Sequence, residues 1–282
     1  MPTFGIHAFV WNGDWNNQIA PETIRLTAEA GFDLLEIPLL HPEEVDAAAI
    51  KKLLRDHGLK ASASLALPKD AHLPFYPEKA RAFLTSVVEK VAEMEIDTLC
   101  GCVYCNLGTL TGAAPTEAEL NACAEVLSDI ADQCKTHGIR LGIEPVNRYE
   151  TYLLNVGSDT KKLIDQMGRD NVFIHFDTYH MVIEEEGYSA PIIAAGDLCG
   201  YIHLSESGRA IPGMGNVDWD DVFTGLKAVN FTGPLVLEAF ATINPELIGA
   251  TCLWRTPSYT IQDIARRGLP FLQEKAAKFG LQ

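Results

Sequence analysis

A (β/α)8 barrel is the fold this sequence predicts, on three observations: eight short β-rich runs, amphipathic helical patterns between them, and glycines that end helices just before the next run. The strand candidates are 4–10 (FGIHAFV), 33–39 (DLLEIPL), 59–67 (LKASASLAL), 97–104 (DTLCGCVY), 139–146 (IRLGIEPV), 172–177 (VFIHFD), 200–206 (GYIHLSE) and 234–240 (PLVLEAF). Each is short and mostly apolar.

Clear helical patterns cover 21–32, 43–58, 77–94 and 116–138. Several open on Pro or Thr followed by acids, and Gly31, Gly58 and Gly138 close a helix immediately ahead of a strand. A last helix near 258–279 is expected to complete the outer ring. An open doubly wound sheet is the alternative, but no G-x-G-x-x-G turn follows the first run. With no linker, repeat array or low-complexity segment, residues 1–282 read as one domain.

At 47% hydrophobic and 21% charged residues the chain has the balance of a soluble globular protein. No apolar run approaches the roughly 20 residues of a membrane span. The opening MPTFGIHAFVWNGDWNN lacks the basic-then-apolar order of a secretory signal, so a cytoplasmic location is expected. A net charge of −16 argues against a nucleic-acid partner, whose phosphates demand Lys and Arg, and leaves a small molecule. Seven cysteines without paired spacing fit reduced thiols. Cys100, Cys102 and Cys105 read as strand packing rather than a zinc site, because no second Cys/His pair stands at ligand spacing.

Chemistry in such a barrel sits at the C-terminal ends of the strands. There the last four runs each deliver one ionisable residue: Glu144, Asp177, His203 and Glu238. The earlier runs offer Glu36, then Ser62 and Ser64, then thiols. A carboxylate at the end of a buried strand needs a compensating charge. Three carboxylates and one imidazole on neighbouring strands form a mostly hard cage, suited to Mn²⁺ or Mg²⁺ and compatible with Co²⁺. Singly, each is more often an ordinary strand-end hydrogen-bonding group; their recurrence at equivalent positions is what points to a metal.

The segments IEPVNRYETYLLN, HFDTYHMVIEEEGY, YIHLSESGRAIPGMGNVDW and LVLEAF resemble the ketose 3-epimerases, of the D-tagatose, D-allulose (psicose) and L-ribulose 3-epimerase type, within the sugar phosphate isomerase/epimerase group of TIM barrels. The likeness extends from GIHAFVW and GFDLLEI to WRT near residue 255. It implies that Glu144, Asp177, His203 and Glu238 bind the metal, Mn²⁺ with Co²⁺ or Mg²⁺ as alternatives. It also implies that Glu150, His180 and Arg209 contact the sugar oxygens near the reacting carbon, and that the chain assembles as a homodimer or homotetramer.

The implied reaction is epimerisation of a free ketose at C3 through an enediolate. Removing a proton beside a carbonyl requires Lewis-acid help from a divalent ion. Inversion requires an acid/base group on each face, the role expected of Glu144 and Glu238. Trp11, Trp15 and Phe240 are expected as apolar walls for the sugar, with barrel plugging as the alternative. Ser64 and the 104–110 loop lie where the family meets the far hydroxyls. Glu36 is expected to orient a ligand or hydroxyl, and His175 to stand in the core or behind the ligands. Glu184 and Glu185 read as a charge cluster at a helix start, with support for the site as the alternative. An aldose–ketose isomerase or inosose dehydratase on the same barrel is the competing activity. An apurinic endonuclease would need further histidines for three zinc ions, and a non-catalytic sugar-binding module has no need of two facing glutamates.

Overall fold

The computed structural model describes residues 2–241, 248–249, 252–255 and 259–281. Eight parallel strands close in sequence order: β1 (Phe4–His7), β2 (Leu34–Pro38), β3 (Lys60–Ala66), β4 (Thr98–Cys102), β5 (Arg140–Ile143), β6 (Val172–Asp177), β7 (Cys199–Leu204) and β8 (Leu235–Leu237). Closure is made by β1, which pairs with both β2 and β8. Each expected strand is present; β6 has the expected bounds, and the others are shorter than their apolar runs, because residues such as Glu144 and Glu238 already belong to the loops above the barrel. The first run departs most: after His7 the chain tightens into a 3-10 turn, Ala8–Val10, whose start is fixed by the Phe9 N–H donating to His7 Nδ1 at 3.1 Å.

The outer helices among the described residues are α1 (Ala20–Glu29), α2 (Ala47–Asp56), α3 (Pro77–Glu93), α4 (Glu117–Thr136), α5 (Gly157–Met167), the short α6 (Thr178–Glu184) and α7 (Ser189–Ala195), α8 (Trp219–Ala228) and α9 (Ile261–Phe279). Thr116 opens α4 with a capping box, exchanging hydrogen bonds with Glu119. The pattern expected to begin at 43 starts later, because Asp46 caps α2 by accepting from the Ala49 N–H. Gly31, Gly58 and Gly138 follow α1, α2 and α4 with φ of 85°, 66° and 71°, a region that a side chain makes costly. Thr256 of the WRT segment and residue 258 of the expected last helix lie outside the described residues.

Alternate residues of a strand face the same side, and this divides the barrel interior into two levels. At the N-terminal end Leu34, Cys100, Phe173, Tyr201 and Val236 form an apolar plug. One or two steps along the same strands come Glu36, Cys102, His175 and Asp177, His203, and Glu238, all buried. The Phe173 ring fills the plug because Gly142 and Gly200 leave space for it: a Cβ at either would lie 2.5 or 2.6 Å from its carbons. The plug thus sets the floor on which the polar level stands.

Gly142→Ala, which overpacks that floor, should destabilise the protein by about 1–3 kcal/mol, read as a lowered midpoint in urea unfolding. Adding Phe173→Leu should return part of the loss, giving a double variant less destabilised than the sum of the singles. An unchanged midpoint in Gly142→Ala would show that the floor is not close-packed.

Candidate active site

Above the plug, β5 to β8 bring four side chains to one point. The Nδ1 of His203 lies 3.7 Å from Glu144 Oε1, 3.6 Å from Asp177 Oδ2 and 3.7 Å from Glu238 Oε1. That nitrogen is buried and has no hydrogen-bond partner. Burial alone would lower the pKa of His203, yet Glu36, Asp177 and Glu144 raise it well above the usual imidazole value. The arrangement calls for positive charge where three carboxylates and one ring nitrogen face one another. Triads of these groups, Asp177 with His203 and Glu238 among them, lie close enough to hold one ion, and the donors are mostly hard, the kind a divalent cation takes.

The other face of the His203 ring is fixed from below. Its Nε2 lies 2.8 Å from Glu36 Oε2, which also accepts from the Tyr201 hydroxyl at 2.6 Å. Since that hydroxyl donates to Glu36, Ser62 donates to it in turn, at 2.7 Å. Burial pushes Glu36 towards protonation, but the His203 charge and hydrogen bond outweigh it and hold the carboxyl below its usual range. A carboxylate behind a metal-ligating imidazole sets the tautomer, so Nδ1 is left to face the site. Glu36 therefore orients the His203 ring from its own strand end. His175 is also behind the ligands, fully buried, with its Nδ1 3.7 Å from Glu144 Oε2 and its ring 4.1 Å from that of His203. Desolvation holds it neutral, its pKa well below the usual value.

Arg209 and Glu150 join the site from loops, and His180 from α6. The Arg209 guanidinium donates through Nη1 to Asp177 Oδ2 at 2.8 Å, to Ser205 Oγ at 3.1 Å and to Glu238 Oε2, and lies 4.0 Å from the Tyr179 ring centre. Burial pushes Asp177 up, but Arg209, followed by His203 and His180, outweighs this and holds it below its usual range. The backbone N–H of Asn147 donates to His180 Nδ1 at 3.1 Å, and burial pushes the His180 pKa down to about 4. The other ring nitrogen, Nε2, lies 3.3 Å from Arg209 Nη2 and 3.9 Å from Glu144 Oε1. Asn147 also donates to Glu150 Oε1 at 2.8 Å. Burial raises Glu150 to about 7, against the opposing Arg209 charge and the Asn147 hydrogen bond.

One pocket is lined by Glu144, Glu150, His180, His203, Arg209, Glu238 and Phe240 on one side, and by His7, Phe9, Pro38, Leu40, Ser64, Ala66 and Leu107 on the other. The expected contacts Ser64, Phe240 and the 104–110 loop, through Leu107, thus meet the same space. Trp11 is outside that lining: the turn after His7 puts Phe9 there instead, and Trp15 lines a smaller neighbouring cavity. Glu184 and Glu185 do not start a helix but end α6, because each is drawn to another loop. Glu184 accepts from the Arg148 backbone at 2.6 Å and its guanidinium at 2.9 Å, and Glu185 accepts from the Gly157 N–H that opens α5 at 2.8 Å. They support the loop that carries Asn147 and Glu150. Cys100, Cys102 and Cys105 are free and buried, two of them in the main apolar core. A larger cavity of about 690 Å³ opens at the other mouth of the barrel, lined by Lys60, Asp97, Arg140 and Asp197, and holds none of the carboxylate–imidazole groups.

Sequence reasoning passed over His7 and Asn147. His7 ends β1 as His203 nears the end of β7, so the strand-end rule would have found it; Asn147 stands in the VNRYE segment itself.

Residues 24–272 match the family model described as a xylose isomerase-like TIM barrel. The chain is 37% identical to the L-ribulose 3-epimerase of Methylomonas sp. (strain DH-1), over 96% of this chain and 97% of that one, and 33% identical to the ketose 3-epimerase of Arthrobacter globiformis, over 96% of each. The crystal structure of a D-allulose 3-epimerase from Methylomonas sp. in complex with D-allulose superposes with a TM-score of 0.93 at 35% identity, covering 97% of both chains. With its closed barrel and 37% identity over 96% of its length to an L-ribulose 3-epimerase, the chain belongs to the ketose 3-epimerases of the xylose isomerase-like TIM barrel family.

Proposed function

We propose that this chain epimerises a free ketose at C3, with Mn²⁺ as its metal and Glu144 and Glu238 as the acid/base pair. The observation that carries the reading is that two carboxylates from non-adjacent strands, β5 and β8, each place an oxygen 3.7 Å from the same ring nitrogen of His203 and also line the pocket. A bound divalent ion, held by Glu144, Asp177, His203 and Glu238, supplies the Lewis acidity that lowers the barrier to proton loss beside a carbonyl. Glu144 and Glu238 take the C3 proton from one face of the sugar and return one to the other. Which of them acts first follows the substrate's configuration, and the order reverses in the back reaction. The guanidinium of Arg209 and the ring of His180 supply hydrogen bonds to the oxygens on which charge grows. Glu150, beside Asn147, receives a sugar hydroxyl.

The other wall says more about the substrate. Phe9, Pro38, Leu40, Ala66 and Leu107 offer apolar surface, and Ser64 and His7 are the polar groups there. Arg209 is the one Arg or Lys among the described residues of the lining and is already paired with Asp177 and Glu238. A phosphate would enter a site of like charge without a counter-ion, which supports an unphosphorylated ketose such as D-allulose, D-fructose, D-tagatose or L-ribulose. The family resemblance supports a homodimer or homotetramer. A reducing, cytoplasmic setting for one catalytic domain agrees with six buried free thiols among the described residues.

With Mn²⁺ and a free ketose in D₂O, deuterium should appear at C3, followed by NMR. Label at C1 would indicate an aldose–ketose isomerase instead. Glu144→Gln and Glu238→Gln should each lower kcat by about 10²–10⁴-fold with the far-UV CD unchanged, and full activity in either would exclude the two-base scheme. In a substrate panel, the 6-phosphate of an accepted hexulose should be a markedly poorer substrate than the free sugar by kcat/KM; equal values would show that the pocket tolerates a second anion.

A further inference from the structure

The loop after β7 contains a buried carboxylate that the proposed chemistry leaves unused. Glu206 is 1% exposed. Its Oε1 accepts from the backbone N–H groups of Ser207 at 2.8 Å and Val217 at 3.1 Å, and its Oε2 from the Gly213 N–H at 2.9 Å and the Trp219 indole N–H at 3.1 Å. A buried anion requires such satisfaction. Here the donors come from both ends and the middle of 206–219, so the carboxylate folds the loop around itself. The wrapping is close: a Cβ at Gly215 would lie 2.5 Å from Glu206 Oε1.

Arg209 rides on this loop. Its φ is +53°, in the left-handed region, where a non-glycine residue persists only if its surroundings impose it. The imposed contacts are local: the Arg209 N–H donates to Glu206 O at 2.7 Å, and the Arg209 carbonyl accepts from the Phe240 N–H at 3.0 Å. From that backbone the guanidinium reaches Asp177, Glu238 and Ser205.

We infer that Glu206 is a positioning residue for Arg209: its carboxylate, by gathering four N–H groups, sets the loop that aims the guanidinium into the site. The kinetic consequence rests on the epimerase reading, whereas the geometric one does not. Glu206→Gln keeps the shape but turns an N–H₂ group towards donors. Gly215→Ala keeps the carboxylate and crowds it, and serves as the second variant should the first fail to fold.

Two measurements test this on the manganese-loaded protein. Labelling of Arg209 by phenylglyoxal, read on its peptide by mass spectrometry, should be slow in the wild type and several-fold faster in either variant. With an accepted ketose, Glu206→Gln should lower kcat by about 10²-fold, and should cost nothing further in an Arg209→Ala background, the non-additivity expected of residues that act together. Unchanged labelling in both variants would overturn the inference, as would an equal loss of kcat in both backgrounds, which marks a residue that only stabilises the fold. Absence of ketose turnover in the wild type would count against the epimerase reading alone, and the labelling would then decide this inference.

Discussion

His203 is the hinge of the polar level because its two ring nitrogens answer opposite requirements. On one side Glu36 takes Nε2 at 2.8 Å, itself held by Tyr201 and through it Ser62. On the other, Nδ1 faces Glu144, Asp177 and Glu238 at 3.6 to 3.7 Å. So many carboxylates in one buried place repel one another strongly. What makes the cluster tenable is positive charge inside it: Arg209 lies against Asp177 and Glu238, and a cation bound at the point that Glu144, Asp177, His203 and Glu238 face would add to it. The apolar plug below is as much a part of this device as the ligands, since close packing around Phe173 denies water to the ring from beneath.

Two further carboxylates apply the same physics to loops. Glu184 holds the loop that leads to Glu150 by taking the Arg148 backbone and side chain, while Glu206 gathers N–H groups from the segment that carries Arg209. Neither lines the pocket. A loop is otherwise the least fixed part of a barrel, and acid groups aimed inward at backbone donors give it the rigidity of a strand end. This is how a chain of net charge −16 uses some of its acids for architecture rather than solvation.

The barrel was legible because its signals are local: strands and helices alternate in the chain, and Gly31, Gly58 and Gly138, all with positive φ, come just after a helix and just before a strand. The convergence of Glu144, Asp177, His203 and Glu238 was legible because strand ends in a closed barrel point to a common mouth. Trp11 failed where that rule stops, since the alternation of sides is lost when the chain turns after His7. Glu184 and Glu185 were placed at a helix start because a run of acids favours one, and only the contact with Arg148 and Gly157 shows why they end a helix instead. The grip of Glu206 on Gly213, Val217 and Trp219 had no sequence signature, for it depends on a loop closing on its own beginning.

The decisive measurement is a titration of the metal-stripped protein with Mn²⁺, with the free ion followed by electron paramagnetic resonance. One ion per chain should bind to the wild type, and His203→Gln should lose that site while keeping its far-UV CD. Wild-type affinity and stoichiometry in His203→Gln would show that the four side chains do not share an ion.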